Sequence, residues 1–353
     1  MRVLITGICG FAGNAIARSL LAHREGLQIF GIDNLSRRGS ETNLPALRAL
    51  GCTVQVADLR DPAVLAQHGP VDWLIDAAAN PSVLAGLSSE STSRELLDIN
   101  LVSTVAMLEF CRTHSAVFTL LSTSRVYGIE ALRAIPVELQ GNAFRPVPGA
   151  SSYAAGIPES FSSEPPLSLY GTSKFCAERL ALEYGSAFGF PVWINRCGVL
   201  AGAGQFGKAD QGIFSFWIHS WASKRPLRFL GFGGHGHQVR DCLHPVDLVP
   251  VLLKQAAAGS GGATSVPRVV NFSGGIDSAR SLRELSDWCA DRFGEQTVAQ
   301  DAQERPFDLP WVVLDSALAQ KTWDWSPSRS MVSILEEIAA HAQANPRWLD
   351  LCG

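Results

Sequence analysis

Seven residues, Gly7-Ile8-Cys9-Gly10-Phe11-Ala12-Gly13, stand between the apolar run Val3–Thr6 and a stretch of helical spacing, Phe11–Ala22. Glycines placed this way allow a tight turn, bring backbone N–H groups close to a pyrophosphate, and let the helix pack hard on its strand. A glycine-rich strand-to-helix turn without a ligand would read the same on this stretch alone. Asp33 narrows the choice. It follows the second apolar run, about twenty residues after Gly13, where a carboxylate can accept both ribose hydroxyls of an adenosine. Its charge repels a 2′-phosphate, which favours NAD over NADP. Arg37 and Arg38 could still bind such a phosphate, although a solvated basic loop is the plainer reading. Asp58 could meet the adenine edge, or it could cap the helix that begins near Asp61-Pro62.

The apolar runs Val3–Thr6, Leu27–Ile32, Thr53–Ala57, Trp73–Ala77, Val117–Leu121 and Val192–Asn195 are short and mostly continuous, as in strands buried on both faces. Helical patterns at Phe11–Ala22, Ser93–His114 and Gly171–Phe188 alternate with them. The alternation predicts an α/β chain with a doubly wound parallel sheet. Residues 129–169, rich in Pro, Ser, Gly and Ala, read as a surface excursion over the site. Further helices are expected at Ile213–Lys224, Val246–Ala258, Ser281–Phe293 and Met331–Ala342, with a flexible loop at Gly259–Ala263.

Several classes are disfavoured. A net charge of −4 with no Lys/Arg run above two gives no nucleic-acid footprint. Eight scattered cysteines without a Cys-x-x-Cys pair suggest free thiols in a reducing cytosol and no metal site. No apolar stretch is long enough to span a bilayer, and the first residues turn into glycines too early for a secretory signal. A soluble, cytoplasmic protein is the expectation.

Tyr170-Gly171-Thr172-Ser173-Lys174 carries the chemistry. Positions four apart share a helix face, so phenol and ammonium fall together. A nearby cation favours phenolate, and such a tyrosine can take a proton from a sugar hydroxyl while hydride leaves the same carbon. Leu121-Ser122-Thr123-Ser124-Arg125 ends the fifth strand at the sheet's carboxyl edge, where ligands of open α/β folds bind. Thr123 or Ser124 there could share the substrate oxygen with Tyr170.

Gly7–Gly13, Asp33, the Ser122-Thr123 strand end and Tyr170–Lys174 together resemble the extended short-chain dehydrogenase/reductase family, over nearly the whole chain. Particular stretches resemble one branch of it, the CDP-paratose (CDP-tyvelose) 2-epimerases. These are Asp33-Asn34-Leu35-Ser36-Arg37-Arg38-Gly39 with Asn43-Leu44, Gln205-Phe206 with Asp210-Gln211-Gly212, Gln238-Val239-Arg240-Asp241 with Leu243-His244, and Trp323-Asp324-Trp325-Ser326-Pro327. The resemblance implies a Rossmann-type NAD-binding domain over 1–200, to which later segments can return. A smaller C-terminal α/β domain over 201–353 would hold the sugar nucleotide.

The resemblance also implies roles. Thr123, Tyr170 and Lys174 become catalytic. NAD would meet Gly7, Gly10, Phe11, Ala12 and Gly13 at the loop, and Asp33, Asn34, Ser36 and Arg37 after the second strand. It would also meet Asp58 and Leu59, Ala77 and Ala78, Asn100, Ser122, and the Tyr170–Lys174 pair. A CDP- or UDP-linked sugar would meet Thr123, Ser124, Gln205 and Gln211, with Arg240 and Arg305 on its diphosphate, as suits guanidinium forks. Cell-surface polysaccharide synthesis and a homodimer or larger homo-oligomer, joined through the Ser93–His114 and Tyr170 helices, are further implications; a buried intramolecular face would read alike.

Relatives that eliminate water usually carry an Asp-Glu pair after the strand-end threonine, and decarboxylating relatives often a Glu. Here Ser124 and Arg125 stand there. Elimination needs an acid for the leaving hydroxyl, so 4,6-dehydration is disfavoured and transient oxidation at one carbinol remains. Departures from the family include Leu169 for proline, Asp76-Ala77-Ala78-Ala79 for the commoner His-x-Ala, and Val199 with Ala201-Gly202 for asparagine and tyrosine-glycine. A UDP-hexose 4-epimerase, a dehydrogenase with exchangeable cofactor and a non-catalytic dinucleotide sensor are the alternatives.

Overall fold

The computed structural model describes residues 1–87, 92–209, 211–259 and 266–352. Asp210 and most of the Gly259–Ala263 loop lie outside them. Seven parallel strands form the main sheet: β1 (Arg2–Thr6), β2 (Gln28–Asp33), β3 (Thr53–Val56), β4 (Trp73–Asp76), β5 (Val117–Thr123), β6 (Val192–Cys197) and β7 (Val269–Phe272). Their order is β7-β6-β5-β4-β1-β2-β3. The order reverses between β1 and β4, which opens a crevice at the carboxyl ends of a Rossmann-type sheet.

The strands read as apolar runs because both faces are covered. Val3 and Ile5 of β1, with Trp73 and Ile75 of β4, pack on Ile16, Leu20 and Leu252. The alternate residues Leu4 and Leu74 join Phe118, Met107, Leu108 and Ala177 on the opposite face. Each such side chain contributes about 1.5–3 kcal/mol by burial, so neither face tolerates a polar alternation.

The pattern over 93–114 is not one helix. Thr92 and Glu95 close a capping box on Ser93–Leu97, a π-helical turn follows at Asp98–Val102, and an α-helix runs from Ser103 to His114. The wide turn carries Asn100 inward, as such bulges often do at functional sites.

The excursion holds a short helix, Ile129–Arg133, and a hairpin, Val137–Gln140 with Ala143–Pro146, turning at Gly141. It packs against the later part of the chain. The Phe144 amide donates to the His237 carbonyl (3.0 Å), Arg145 pairs with Glu284 (3.0 Å), and Ile157 bridges Leu314. Its core joins Tyr127, Ile129 and Leu132 to Val239, Trp311 and Leu314. Trp217 and Trp221, four apart on the helix Ile213–Ala222, are buried, and their indoles donate to Ser286 Oγ and the Gly294 carbonyl (2.9 Å each). They form a packed face, as helical spacing predicts.

Candidate active site

The glycine loop is made by backbone contact. Gly7 has φ +64, and a Cβ there would lie 2.8 Å from the Ala78 Cα; one on Gly13 would stand 2.3 Å from the Gly7 carbonyl. Ala77 and Ala78 thus brace the loop from the end of β4, and Phe11 and Ala12 open the helix Phe11–His23, half-buried. The Cys9 and Leu35 amides donate to the two Asp33 oxygens (2.8 Å each), and the Asn43 amide donates to the Cys9 carbonyl (2.9 Å). Burial pushes the Asp33 carboxyl above its ordinary range, opposed by those N–H groups. A cradle that any Cβ would fill, with a carboxylate held at its rim, fits a dinucleotide.

Past Asp33, Asn34 donates to Asp58 Oδ2 (3.2 Å) and accepts from the Ser36 amide (3.0 Å). Arg60 and Asn34 hold Asp58 well below the usual carboxylate range. Asp61, not Asp58, caps the helix Pro62–Ala66 by accepting from the Ala63 amide (2.9 Å). One expectation changes here. Arg37 is no solvated loop residue: it is half-buried, donating to Gln211 Oε1 (2.8 Å) and to the Phe206 carbonyl. Gln211, assigned to the substrate, accepts from Arg37 through that oxygen. The Leu59 side chain belongs to the core beneath the sheet, so only its backbone is left for a ligand. Gln205 donates to the Leu200 carbonyl (2.7 Å), and its own carbonyl accepts from the Trp348 indole (2.9 Å).

The strand end delivers its hydroxyls to different places. Ser122 does not face the cofactor crevice with a free hydroxyl; it donates to Glu178 Oε1 (2.5 Å). Glu178 in turn holds Arg196 bidentately, both fully buried, with an N–O distance of 2.7 Å. Tyr127 lies under that guanidinium, 5.0 Å from ring centre. This network pins the middle of the helix Leu169–Phe188 to the sheet. Asn100 ties its start: the amide donates to Ser173 Oγ (3.2 Å) and the Asn80 carbonyl (3.1 Å), and Oδ1 accepts from the Asn80 amide (2.8 Å).

Thr123 Oγ1 accepts from the Arg125 amide (3.2 Å) and stands near the Tyr170 phenol. With its lone pair engaged by that amide, its proton is free for the phenol oxygen. Tyr170 and Lys174 are both buried. Burial pushes the phenol up, and Thr123 and Arg125 pull it down. Burial pushes the Lys174 ammonium down, while Asp76 and Glu178 favour its charge. Asp76, where the family often has histidine, accepts from Thr6 Oγ1 (2.8 Å) and the Ala78 amide (3.3 Å). Sequence reasoning noted Asp76 and Arg125 only as departures, and Glu178 not at all. The spacing Tyr170-Lys174-Glu178, one turn each, was the available signal.

Beyond Ser124, which is buried, three arginines gather. Arg240 donates to the Leu309 carbonyl (2.9 Å) and Asp308 Oδ1 (3.3 Å), and Arg125 to the Phe307 carbonyl (3.4 Å). Arg305 opens the turn that carries Asp308, whose amide donates to the Arg305 carbonyl (3.2 Å). Arg125 and Arg240 each lie within the electrostatic reach of Arg305.

Residues 3–271 match the NAD dependent epimerase/dehydratase family. The chain belongs to it. Members of the family use NAD, which the cradle at Gly7–Gly13 and Asp33 accommodates. The chain is 29% identical to the CDP-paratose 2-epimerase of Salmonella typhi, over 94% of this chain and 96% of that one. It is 23% identical to dTDP-glucose 4,6-dehydratase 1 of Escherichia coli K12, over 99% and 95%. In fold it is similar to the UDP-glucuronic acid 4-epimerase of Bacillus cereus solved with UDP-glucuronic acid and NAD, with a TM-score of 0.77, 22% identity and coverage of 98% and 99%. No helix among the described residues is long and apolar enough to cross a membrane.

Proposed function

We propose that the protein is an NAD-dependent nucleotide-sugar epimerase that inverts one sugar carbinol, in the manner of a CDP-paratose 2-epimerase. The observation that carries this reading is the strand end itself. Thr123 stands near the Tyr170 phenol at the sheet's carboxyl edge, while Ser124 and Arg125 occupy the positions where water-eliminating relatives hold an acid pair.

The backbone N–H groups of Gly10–Gly13 face the cofactor's diphosphate and Asp33 its adenosine ribose. Asn34, Ser36, Arg37 and Asp58 border that end, and Ala77, Ala78 and Asn100 the other. Bound NAD supplies the acceptor, and then the donor, of one hydride. Tyr170 takes the proton of the sugar hydroxyl and later returns it; Thr123 donates to the phenol oxygen through the exchange. Lys174 keeps positive charge at the buried end of the helix turn. Arg240 and Arg305 anchor the sugar nucleotide's diphosphate while the planar ketone presents its other face. Proton and hydride return to the oxygen and carbon they left, so the cycle consumes nothing. With no carboxylic acid at 124 or 125, the neighbouring C–O bond is not broken.

A CDP-linked sugar and carbon 2 follow from the likeness to the Salmonella enzyme; a UDP-hexose and carbon 4 would use the same residues. Incubation with CDP- and UDP-sugars, resolved by NMR, separates the two. Inversion at carbon 2 of a CDP-sugar supports the proposal, and exchange confined to carbon 4 overturns the choice of carbon.

A further inference from the structure

The loop after Asp33 is held by side chains from far along the chain. Leu35 (φ +55) and Gly39 (φ +89) both turn it through the left-handed region, an uncommon place for a leucine. Phe206 is buried, with its ring so close to Gly39 that a Cβ there would stand 2.8 Å from it. The Phe206 carbonyl and Gln211 Oε1 (2.8 Å) both accept from Arg37. Behind Phe206 lies Trp348, its ring stacked at 5.4 Å and its indole donating to the Gln205 carbonyl (2.9 Å). The Arg38 guanidinium reaches the Asp350 carbonyl (3.5 Å) on the same short helix, Trp348–Cys352.

Residues 202–207 therefore run from one side of the cradle to the other. At their start Gly202 lies against Phe11 of the glycine loop, where a Cβ would stand 3.3 Å from the ring, and against His244. The Ala203 amide donates to Glu337 Oε1 (3.3 Å). A cavity of 160 Å³, lined by Asn14, Arg18, Asn43 and Gly204 among others, then separates the segment from the helix Phe11–His23. The segment is thus fastened to the cradle at Phe11 and again at Gly39, and Phe206 makes the second fastening.

We propose that residues 202–207 are a strap that keeps NAD in its cradle through the catalytic cycle, with Phe206 the positioning residue that holds the 33–39 loop closed on the adenosine ribose. The proposal rests on the cofactor reading of the cradle and adds what retains the cofactor there. An enzyme that returns the hydride it took cannot lose its cofactor midway, since departing NADH would strand the ketone. For the adenosine end to leave, the loop must swing away from Asp33, and Phe206 stands against Gly39 on that path. Phe206 and Trp348 make their contacts with each other and with the 37–39 loop. Removing the ring therefore alters how fast NAD exchanges and leaves the base in place.

The test follows exchange of bound NAD for isotopically labelled NAD in the whole chain, with no sugar present. Phe206→Ala exchanges NAD about tenfold faster than the parent protein, an effect that falls on the dissociation rate. Its turnover comes to depend on added NAD, with kcat at saturating NAD close to the parent value. Trp348→Phe, which keeps a ring behind Phe206, stays near the parent protein. Arg225→Met cuts the exposed pair with Asp350 on the same helix and leaves Phe206 seated, so it reports loosened packing alone; its exchange stays at the parent rate. Exchange at the parent rate in Phe206→Ala overturns the proposal. An equal rise in Arg225→Met overturns it too, because retention would then be a matter of general stability. Should Phe206→Ala not fold, Gln211→Ala decides: it removes one Arg37 bond from a half-buried side chain, so faster exchange supports the strap and an unchanged rate overturns it. Slow exchange in the parent and fast exchange in Phe206→Ala, in a protein that inverts no sugar, upholds the strap and sinks the epimerase reading. Inversion by a parent protein that exchanges NAD freely does the reverse.

Discussion

At the glycine loop the chain builds its cradle from backbone: Gly7 against Ala78, Gly13 against Gly7, and amides on Asp33. Around the Tyr170 helix it builds from side-chain charge: Arg240 on Asp308, Arg196 on Glu178, and Lys174 near Asp76. Backbone shape is set by neighbours in the chain and tolerates almost no added atoms. Charge is set by whichever side chains the fold brings together, so it can change sign at one position while the fold persists. A family that shares one cradle can therefore differ in what it does to the sugar.

Four substitutions press on that contrast. The largest effect is expected at the cradle: Gly13→Val places atoms where the Gly7 carbonyl already lies. The variant should retain less than roughly a tenth of the NAD released from the denatured parent protein, since no relaxation of a backbone contact this close is cheap. Full retention would mean that the loop does not hold the cofactor. Glu178→Gln leaves the buried Arg196 charge without its partner, which costs about 3–5 kcal/mol in denaturant unfolding. A loss below about 1 kcal/mol would show that the pair does not pin the helix.

Arg240→Met removes the charge together with its bonds to the Leu309 carbonyl and Asp308, so unfolding is measured beside kinetics. Losing charged hydrogen bonds worth about 1.5–3 kcal/mol raises KM for the sugar nucleotide by roughly ten- to a hundredfold, with kcat changed less. An unchanged KM would remove Arg240 from the diphosphate site. The smallest effect lies outside both ends. Burial pushes His219 down to about 3, and also lowers His341, whose Nδ1 it meets at 3.2 Å. Histidines depressed in the folded state contribute stability that is present above the ordinary value near 6.5 and is lost as pH falls below it. His219, depressed that far, contributes a slope of about 1.4 kcal/mol per pH unit there. In His219→Gln the slope of stability against pH between about 6 and 4 should flatten by one proton; an unchanged slope would mean that His219 is not the group being titrated.

The contrast also explains what the sequence disclosed. Six of the seven sheet strands and the glycine loop are legible because local spacing dictates them. β7 is only four residues long and returns from far along the chain to pair beside β6, Asn271 opposite Arg196. The hairpin in the excursion was legible but unread: Val137 and Leu139 alternate with polar residues before Gly141-Asn142, a turn signal. Tyr170, Lys174 and Thr123 stood out by motif. Arg37 on Gln211, Ser122 on Glu178 and Arg125 on the Phe307 carbonyl depend on contacts between distant segments, which no local pattern contains.

The central claim is that a hydrogen leaves one sugar carbon and returns to the same carbon on the other face without meeting solvent. Running the reaction in deuterium oxide and reading the inverted carbon by proton NMR addresses it directly. The account predicts an inverted product that keeps its original hydrogen, in a protein that releases stoichiometric NAD on denaturation. Solvent deuterium at that carbon would instead mean proton abstraction from carbon, and would contradict it.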